Sequence, residues 1–244
     1  MRVLIVIPAR YGSVRLPGKP LAKLAGKPMI QHVYEGACHA ESADETIVAT
    51  DDQRIVDAVT AFGGRAVLTS PTANSGTERV AEVARGSRAQ VIINVQGDEP
   101  LIRPQMIDQI AQFLTQHGAV PMASLMTPFK PSDDRTSPNV VKVVTDQDGF
   151  ALYFSRAPIP HERTQQPHAK FWKHIGLYGY QRHFLLQFPS LDPTPLERIE
   201  QLEQLRALEH GYKIKLLETA HDSIGVDTPV DLRRVEALLM ANQR

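Results

Sequence analysis

The chain has a single cysteine, Cys38, among 244 residues. That excludes an internal disulfide and a cysteine-built metal site, and leaves Cys38 with the expected role of a small buried apolar group in a helix. No charge of either sign predominates: 27 basic residues face 27 acidic ones, which argues against nucleic-acid binding driven by bulk charge. No apolar run is long enough to cross a bilayer. Met1-Arg2 leads straight into a strand-like segment without a signal-peptide layout, so the expected location is the cytoplasm. Repeats and low-complexity tracts are also absent. A chain of this length can bury the core of one large α/β domain.

What is present begins with Val3-Leu4-Ile5-Val6-Ile7, almost wholly apolar, as in a strand covered on both faces. It runs into Pro8-Ala9-Arg10-Tyr11-Gly12-Ser13-Val14-Arg15-Leu16-Pro17-Gly18-Lys19-Pro20. Gly12 and Gly18 permit tight turns and close approach of a ligand. Arg10, Arg15 and Lys19, with exposed amides at the carboxyl end of a central strand, suit a polyphosphate. The loop is neither a Walker A motif, because Pro20 follows Gly18-Lys19, nor a dinucleotide fingerprint. The alternative is a solvated surface loop.

The first half alternates strand and helix. Strands are expected at 46–50, 66–69 and 91–95, and helices at 29–40, 54–62, 76–84 and 105–116. This order predicts a mostly parallel, Rossmann-like sheet flanked by helices. In the second half, 140–145 and 150–154 around Asp146-Gln147-Asp148-Gly149 read as a hairpin. A strand is expected at 174–180, one amphipathic helix over 196–210 carrying Ile199, Leu202, Leu205 and Leu208 on one side, and a strand at 213–217. The proline-bearing stretch between Pro121 and Pro195 reads as loop-rich. Thr228 can cap the last helix, with Pro229 in its first turn and Asp231 at its positive end.

Three further segments carry candidate chemistry. Asn94-Val95-Gln96-Gly97-Asp98-Glu99-Pro100 sets Gln96 and Asp98 just past an apolar strand, where an acidic side chain facing a polyphosphate suits magnesium; the alternative is an ordinary turn with Asp98 as a cap. Asp227 in Gly225-Val226-Asp227-Thr228-Pro229 joins it as a metal ligand only if folding brings the two together. Ser75-Gly76-Thr77 opens a helix and offers hydroxyls and amides to a base, ribose or phosphate, or else simply caps it. Arg156 can fork a substrate carboxylate or form a surface ion pair. His174 and Tyr178, an even number of positions apart, face one side of a strand.

Taken together, the loop at 8–20, Val91 to Pro100, Tyr153-Phe154-Ser155-Arg156, His174 to Tyr180, Leu196-Glu197 with Leu202-Glu203-Gln204-Leu205-Arg206, and Gly225 to Pro229 resemble, in order along nearly the whole chain, the 3-deoxy-manno-octulosonate cytidylyltransferase family of sugar nucleotidyltransferases. The resemblance implies a nucleotide-diphospho-sugar transferase fold with a smaller lobe at roughly 128–212 for sugar binding and dimerisation. It implies transfer of CMP from CTP to the acid sugar Kdo for lipopolysaccharide synthesis, with magnesium, in a homodimer. By motif it implies that Arg10, Arg15, Lys19 and Asp98 are catalytic. Ala9, Arg10, Gly12, Ser13, Lys19, Ser75, Gly76 and Thr77 would bind the nucleotide. Gln96, Arg156, His174, Tyr178 and Glu197 would bind the sugar, and Asp98 and Asp227 the metal. Glu99 favours Kdo over 8-amino-Kdo, since the latter's synthetases resemble Gln-Gly-Asp-Gln-Pro at that motif. CMP-sialic acid synthetase, a metal-dependent glycosyltransferase and a non-catalytic nucleotide binder remain as alternatives.

Overall fold

The computed structural model describes residues 2–12, 16–73, 75–164 and 169–242. Its strands are β1 Val3–Ala9, β2 Lys23–Leu24, β3 Lys27–Pro28, β4 Glu45–Thr50, β5 Ala66–Leu68, β6 Val91–Asn94, β7 Met122–Pro128, β8 Lys142–Thr145, β9 Ala151–Ser155, β10 Trp172–Gln181 and β11 Ile214–Glu218. The helices are α1 Met29–Cys38, α2 Gln53–Ala61, α3 Gly76–Arg85, α4 Pro104–Gln116, α5 Arg182–Gln187, α6 Pro195–Glu200, α7 Gln204–Glu209 and α8 Pro229–Asn242.

The main sheet has the order β11-β7-β10-β6-β1-β4-β5. All its neighbours pair parallel except those of β10, which runs antiparallel between β6 and β7. The expected α/β architecture is therefore present. β1 is apolar because both its faces are covered: Ile5 and Ile7 belong to the core under α1, α2 and α4, and Leu4 and Val6 to the core beneath α3 and α5. From β1 the chain moves outward through β4 and β5, then returns to β6 on the other side of β1. This reversal opens a crevice at the carboxyl ends of β1 and β6, the place where open α/β sheets bind ligands.

Four expectations need correction. β7 lies in the stretch expected to be loop-rich and is almost wholly buried; a short apolar run between prolines carries little periodicity to announce it. β10, inside the range expected for the smaller lobe, is a strand of the central sheet, while the hairpin β8–β9 branches from it. The helix expected over 196–210 is broken: Gln201 adopts φ 53°, separating α6 from α7, and Ile199 is 77% exposed rather than on the buried stripe. Cys38 ends α1 and is exposed. The capping of α8 is as expected, since Thr228 Oγ1 and Asp231 Oδ2 exchange hydrogen bonds with each other's backbone amides at 3.3 and 2.9 Å.

Candidate active site

Because Val6 pairs with Asn94 in a parallel register, the segments following β1 and β6 leave the sheet side by side. The first is drawn back on itself by Gly18 N–H donating to Tyr11 O at 3.3 Å and by Leu21 N–H donating to Gly18 O at 2.8 Å. Gly18 has φ 65°, a conformation in which a side chain is strained, and a Cβ there would stand 3.3 Å from the Tyr11 ring. The Arg54 guanidinium lies 3.4 Å above that ring and is itself forked onto Asp52 at the start of α2. The loop is thus tethered at its base. Ser13 and Arg15 lie outside the described residues.

Behind the turn, the Lys19 Nζ donates to Asp98 Oδ2 at 2.6 Å and to Asp227 Oδ1 at 2.9 Å. Lys19 and Asp227, 208 positions apart in sequence, therefore meet. The backbone fixes this meeting, because Val226 N–H donates to Asp98 O at 2.9 Å. Val226 itself is buried with Leu24, Met29 and Val235, a small core that ties α8 to the turn bearing Lys19. A cavity of about 440 Å³ opens over this cluster. Ala9, Arg10, Lys19, Ser75, Gly76, Gln96, Asp98 and Asp227 line it. Arg79 forms part of its floor, 4% exposed and paired to Asp51 at 2.8 Å. Ser75 Oγ accepts from Glu78 N–H at 3.2 Å, so it caps α3 while facing the cavity.

A second cavity, about 260 Å³, adjoins the first and shares Gly76 and Gln96 with it. Asn94, Thr77, Tyr178, Tyr180, Glu203 and Gln204 supply its polar wall. Thr77, expected at the nucleoside, donates through Oγ1 to Glu203 here. Glu203 Oε1 and Gln204 Nε2 are buried and have no hydrogen-bond partner among the described residues, the condition of groups kept for a polar ligand. Neither was expected. The available signal was their position as polar residues between Leu202 and Leu205 of the apolar stripe.

Two cavities at a sheet's switch point, one lined by the cations Arg10 and Lys19 with paired carboxylates and the other small with one polar wall, suit a nucleotide and a sugar acid. The cytidylyltransferase family profile matches residues 4–214. A 3-deoxy-manno-octulosonate cytidylyltransferase of Geotalea uraniireducens is 53% identical over 96% of this chain and 98% of that protein. The chain belongs to the 3-deoxy-manno-octulosonate cytidylyltransferase family. The relative of that name in Syntrophotalea carbinolica is also 53% identical, over 98% of this chain and 99% of its own. A solved CMP:2-keto-3-deoxy-manno-octonic acid synthetase, complexed with CTP, superposes with a TM-score of 0.94 at 44% identity, covering 99% of this chain and all of that one.

Within this cytidylyltransferase, two residues expected at the sugar are engaged elsewhere. Arg156 spends its guanidinium on the main-chain carbonyls of Pro138, Glu200 and Gln201, at 2.9, 2.7 and 3.2 Å. Glu197 is forked by Arg206 at 2.8 and 2.5 Å and closes the capping box of α6 with Thr194. Neither lines the second cavity; both brace the α6–α7 break next to Glu203 and Gln204. A residue type suited to a carboxylate is equally suited to carbonyls, and sequence spacing does not distinguish them. Gly12 lines neither cavity, and neither does His174, a third residue expected at the sugar.

His174 and Tyr178 do share a face. β10 slips by two residues against β7 between Ile175 and Tyr178, which preserves parity, and the two rings stand 5.4 Å apart. Ser124 plugs the slip, its one hydroxyl proton directed to the carbonyls of Ile175 and Leu177. His174 Nε2, 2.8 Å from Ser124 Oγ, must then be the donor. Burial lowers the His174 pKa to about 3, so the ring stays neutral. Glu99, hydrogen-bonded by Ser223 at 2.7 Å, is pushed the other way, up to about 7, by burial with Asp98 and Asp222 near it.

These shifts oppose each other in stability. From the ordinary value of 6.5 downward the unfolded chain binds the His174 proton and the folded one does not, so acid destabilises. Between 4.5 and about 7 the folded chain binds the extra proton on Glu99, so acid stabilises. In the wild type the two slopes offset between 4.5 and 6.5. Glu99→Gln removes one of them. Its melting temperature, relative to wild type, is expected to fall with acidification across that window; parallel profiles would refute the assignment.

Proposed function

We propose that this protein transfers CMP from CTP to 3-deoxy-manno-octulosonate, giving CMP-Kdo and pyrophosphate. The observation that carries this reading is the convergence of Lys19, Asp98 and Asp227 beneath a cleft that adjoins a second cavity with a polar wall. The family's names supply the nucleotide and the sugar. The product's use in lipopolysaccharide synthesis and a cytoplasmic location belong to the same reading.

Arg10 and Lys19 hold the triphosphate, neutralising charge as pyrophosphate leaves. Ser75 and Gly76 stand at the α3 N-terminus, where backbone amides favour an anion or a nucleoside hydroxyl. Gln96, shared between the cavities, sits at the junction of nucleotide and sugar. Glu203, Gln204, Asn94 and Tyr178 face the sugar hydroxyls. The anomeric hydroxyl is held in line with the α-phosphorus, so much of the rate comes from positioning.

The carboxylates fit magnesium. Both are hard oxygen donors, they converge on one point, and that point already holds a cation, the Lys19 ammonium. Magnesium held by Asp98 and Asp227 would supply neutralisation of phosphate oxygens and a lowered pKa for a bound hydroxyl. A homodimer is part of the proposal; Leu152 and Ile199, 62% and 77% exposed, lie in the segment assigned to dimerisation and support it.

The test is pyrophosphate release from CTP and magnesium with Kdo, 8-amino-Kdo or sialic acid. Kdo is expected to be turned over in clear preference, and a preference for either rival would overturn the assignment. Gln204→Ala is expected to raise KM for Kdo about tenfold with KM for CTP unchanged, as befits one lost hydrogen bond to a buried polar wall. Equal changes in both constants would place Gln204 outside the sugar site.

A further inference from the structure

We infer that Lys19 occupies the metal position of the nucleotide-free enzyme, so that the divalent cation enters only with the nucleotide. This rests on the reading of Asp98 and Asp227 as metal ligands. The ammonium touches both carboxylates within hydrogen-bond distance, at 2.6 and 2.9 Å, and its side chain is only 14% exposed. A small divalent ion held by the same two carboxylates would be a close neighbour of that ammonium, and two cations so close repel strongly in a partly buried site. One must leave before the other can bind.

The surroundings allow the ammonium to leave without disturbing the site. Asp98 and Asp227 are joined through backbone, Val226 N–H to Asp98 O, and their segments are packed by the Leu24, Met29, Val226 and Val235 core. Glu236 accepts from Ala25 N–H at 2.9 Å, so α8 also holds the chain just after Lys19. The lysine stem, four methylenes long, is free to swing about its own torsions. The cavity above it is where a triphosphate lies, and a triphosphate offers the ammonium more negative charge than two carboxylates do. The nucleotide thus withdraws the lysine and vacates the metal position in one movement. Metal and nucleotide affinities are then positively coupled, and the coupling is reciprocal.

The experiment measures Mn²⁺ binding to nucleotide-free protein by electron paramagnetic resonance, for wild type, Lys19→Met and the hydrogen-bonding Lys19→Gln, with thermal melting to confirm folding. Both variants are expected to bind Mn²⁺ about tenfold more tightly than wild type, within the usual range of coupling between sites. If only one variant folds, that one decides. CTP is expected to tighten Mn²⁺ on wild type by a larger factor than on the variants. Equal or weaker Mn²⁺ binding by the folded variants would overturn the inference while leaving the metal site standing. Failure of wild type to bind Mn²⁺ even with CTP would overturn both.

Discussion

Asp98→Asn is expected to lower the rate of pyrophosphate release by about a hundredfold or more, the loss typical of removing one key electrostatic group, while the protein remains folded. The reason for the asymmetry is geometric. What Asp98 contributes to the fold is its main-chain carbonyl, which accepts from Val226 N–H at 2.9 Å and is untouched by the substitution. What it contributes to the reaction is a carboxylate, which the amide keeps in shape but strips of charge. Lys19 keeps its second partner, Asp227, so the turn is not left with an unpaired ammonium. The measurement is steady-state release of pyrophosphate at saturating CTP, Kdo and magnesium, beside a melting curve. Near-normal turnover would remove Asp98 from the metal site.

The second large effect is expected at Gly97. A Cβ there would stand 2.7 Å from the main-chain oxygen of Pro8. Pro8 cannot give way easily, because β1 is paired on both sides, to β4 and β6. Gly97→Ala therefore pushes apart the two loops that form the nucleotide cleft. Overpacking of this kind costs about 1–3 kcal/mol, and in a chain of this size each kcal/mol lowers the melting temperature by about 2–4 °C. Displacing catalytic groups by a fraction of an ångström to an ångström is expected to reduce kcat/KM for CTP between about tenfold and a hundredfold. Gly12 is the internal control. Nothing lies within 4 Å of its would-be Cβ, so Gly12→Ala is expected to melt with the wild type. If Gly97→Ala matched the wild type in both melting and kinetics, the two loops would not be braced through this contact.

Much of the architecture was legible because burial leaves a simple mark. β1, β4 and β6 are covered on both faces, so they read as short apolar runs, and α1 to α4 show one apolar side against polar ones. Their order implied a parallel sheet, and the loop beyond β1 fell where such sheets bind ligands. β7 escaped notice because Ser124 and Thr127 interrupt its apolar residues and prolines flank it. The single helix expected over 196–210 failed because Gln201 takes a left-handed conformation, held by the Arg156 guanidinium on the carbonyls of Glu200 and Gln201. Arg156 and Glu197 show why a residue's type is weaker evidence than its surroundings. Arg156 has the fork for a sugar carboxylate and Glu197 has acceptors for sugar hydroxyls, yet each is satisfied inside the protein.

By itself, then, the chain's order of residues determined the parallel part of the sheet around β1, the cationic loop after β1 and the acidic turn after β6, since these depend on near neighbours and on which side chains must avoid water. Whether Asp227 could ever reach Asp98 was left open, and so was the wall made by Glu203 and Gln204. Those were decided by the tertiary structure alone, through one amide on one carbonyl and a break between two short helices. Periodicity reports the direction a side chain takes from its own element. It carries no information about which distant element packing will bring to meet it.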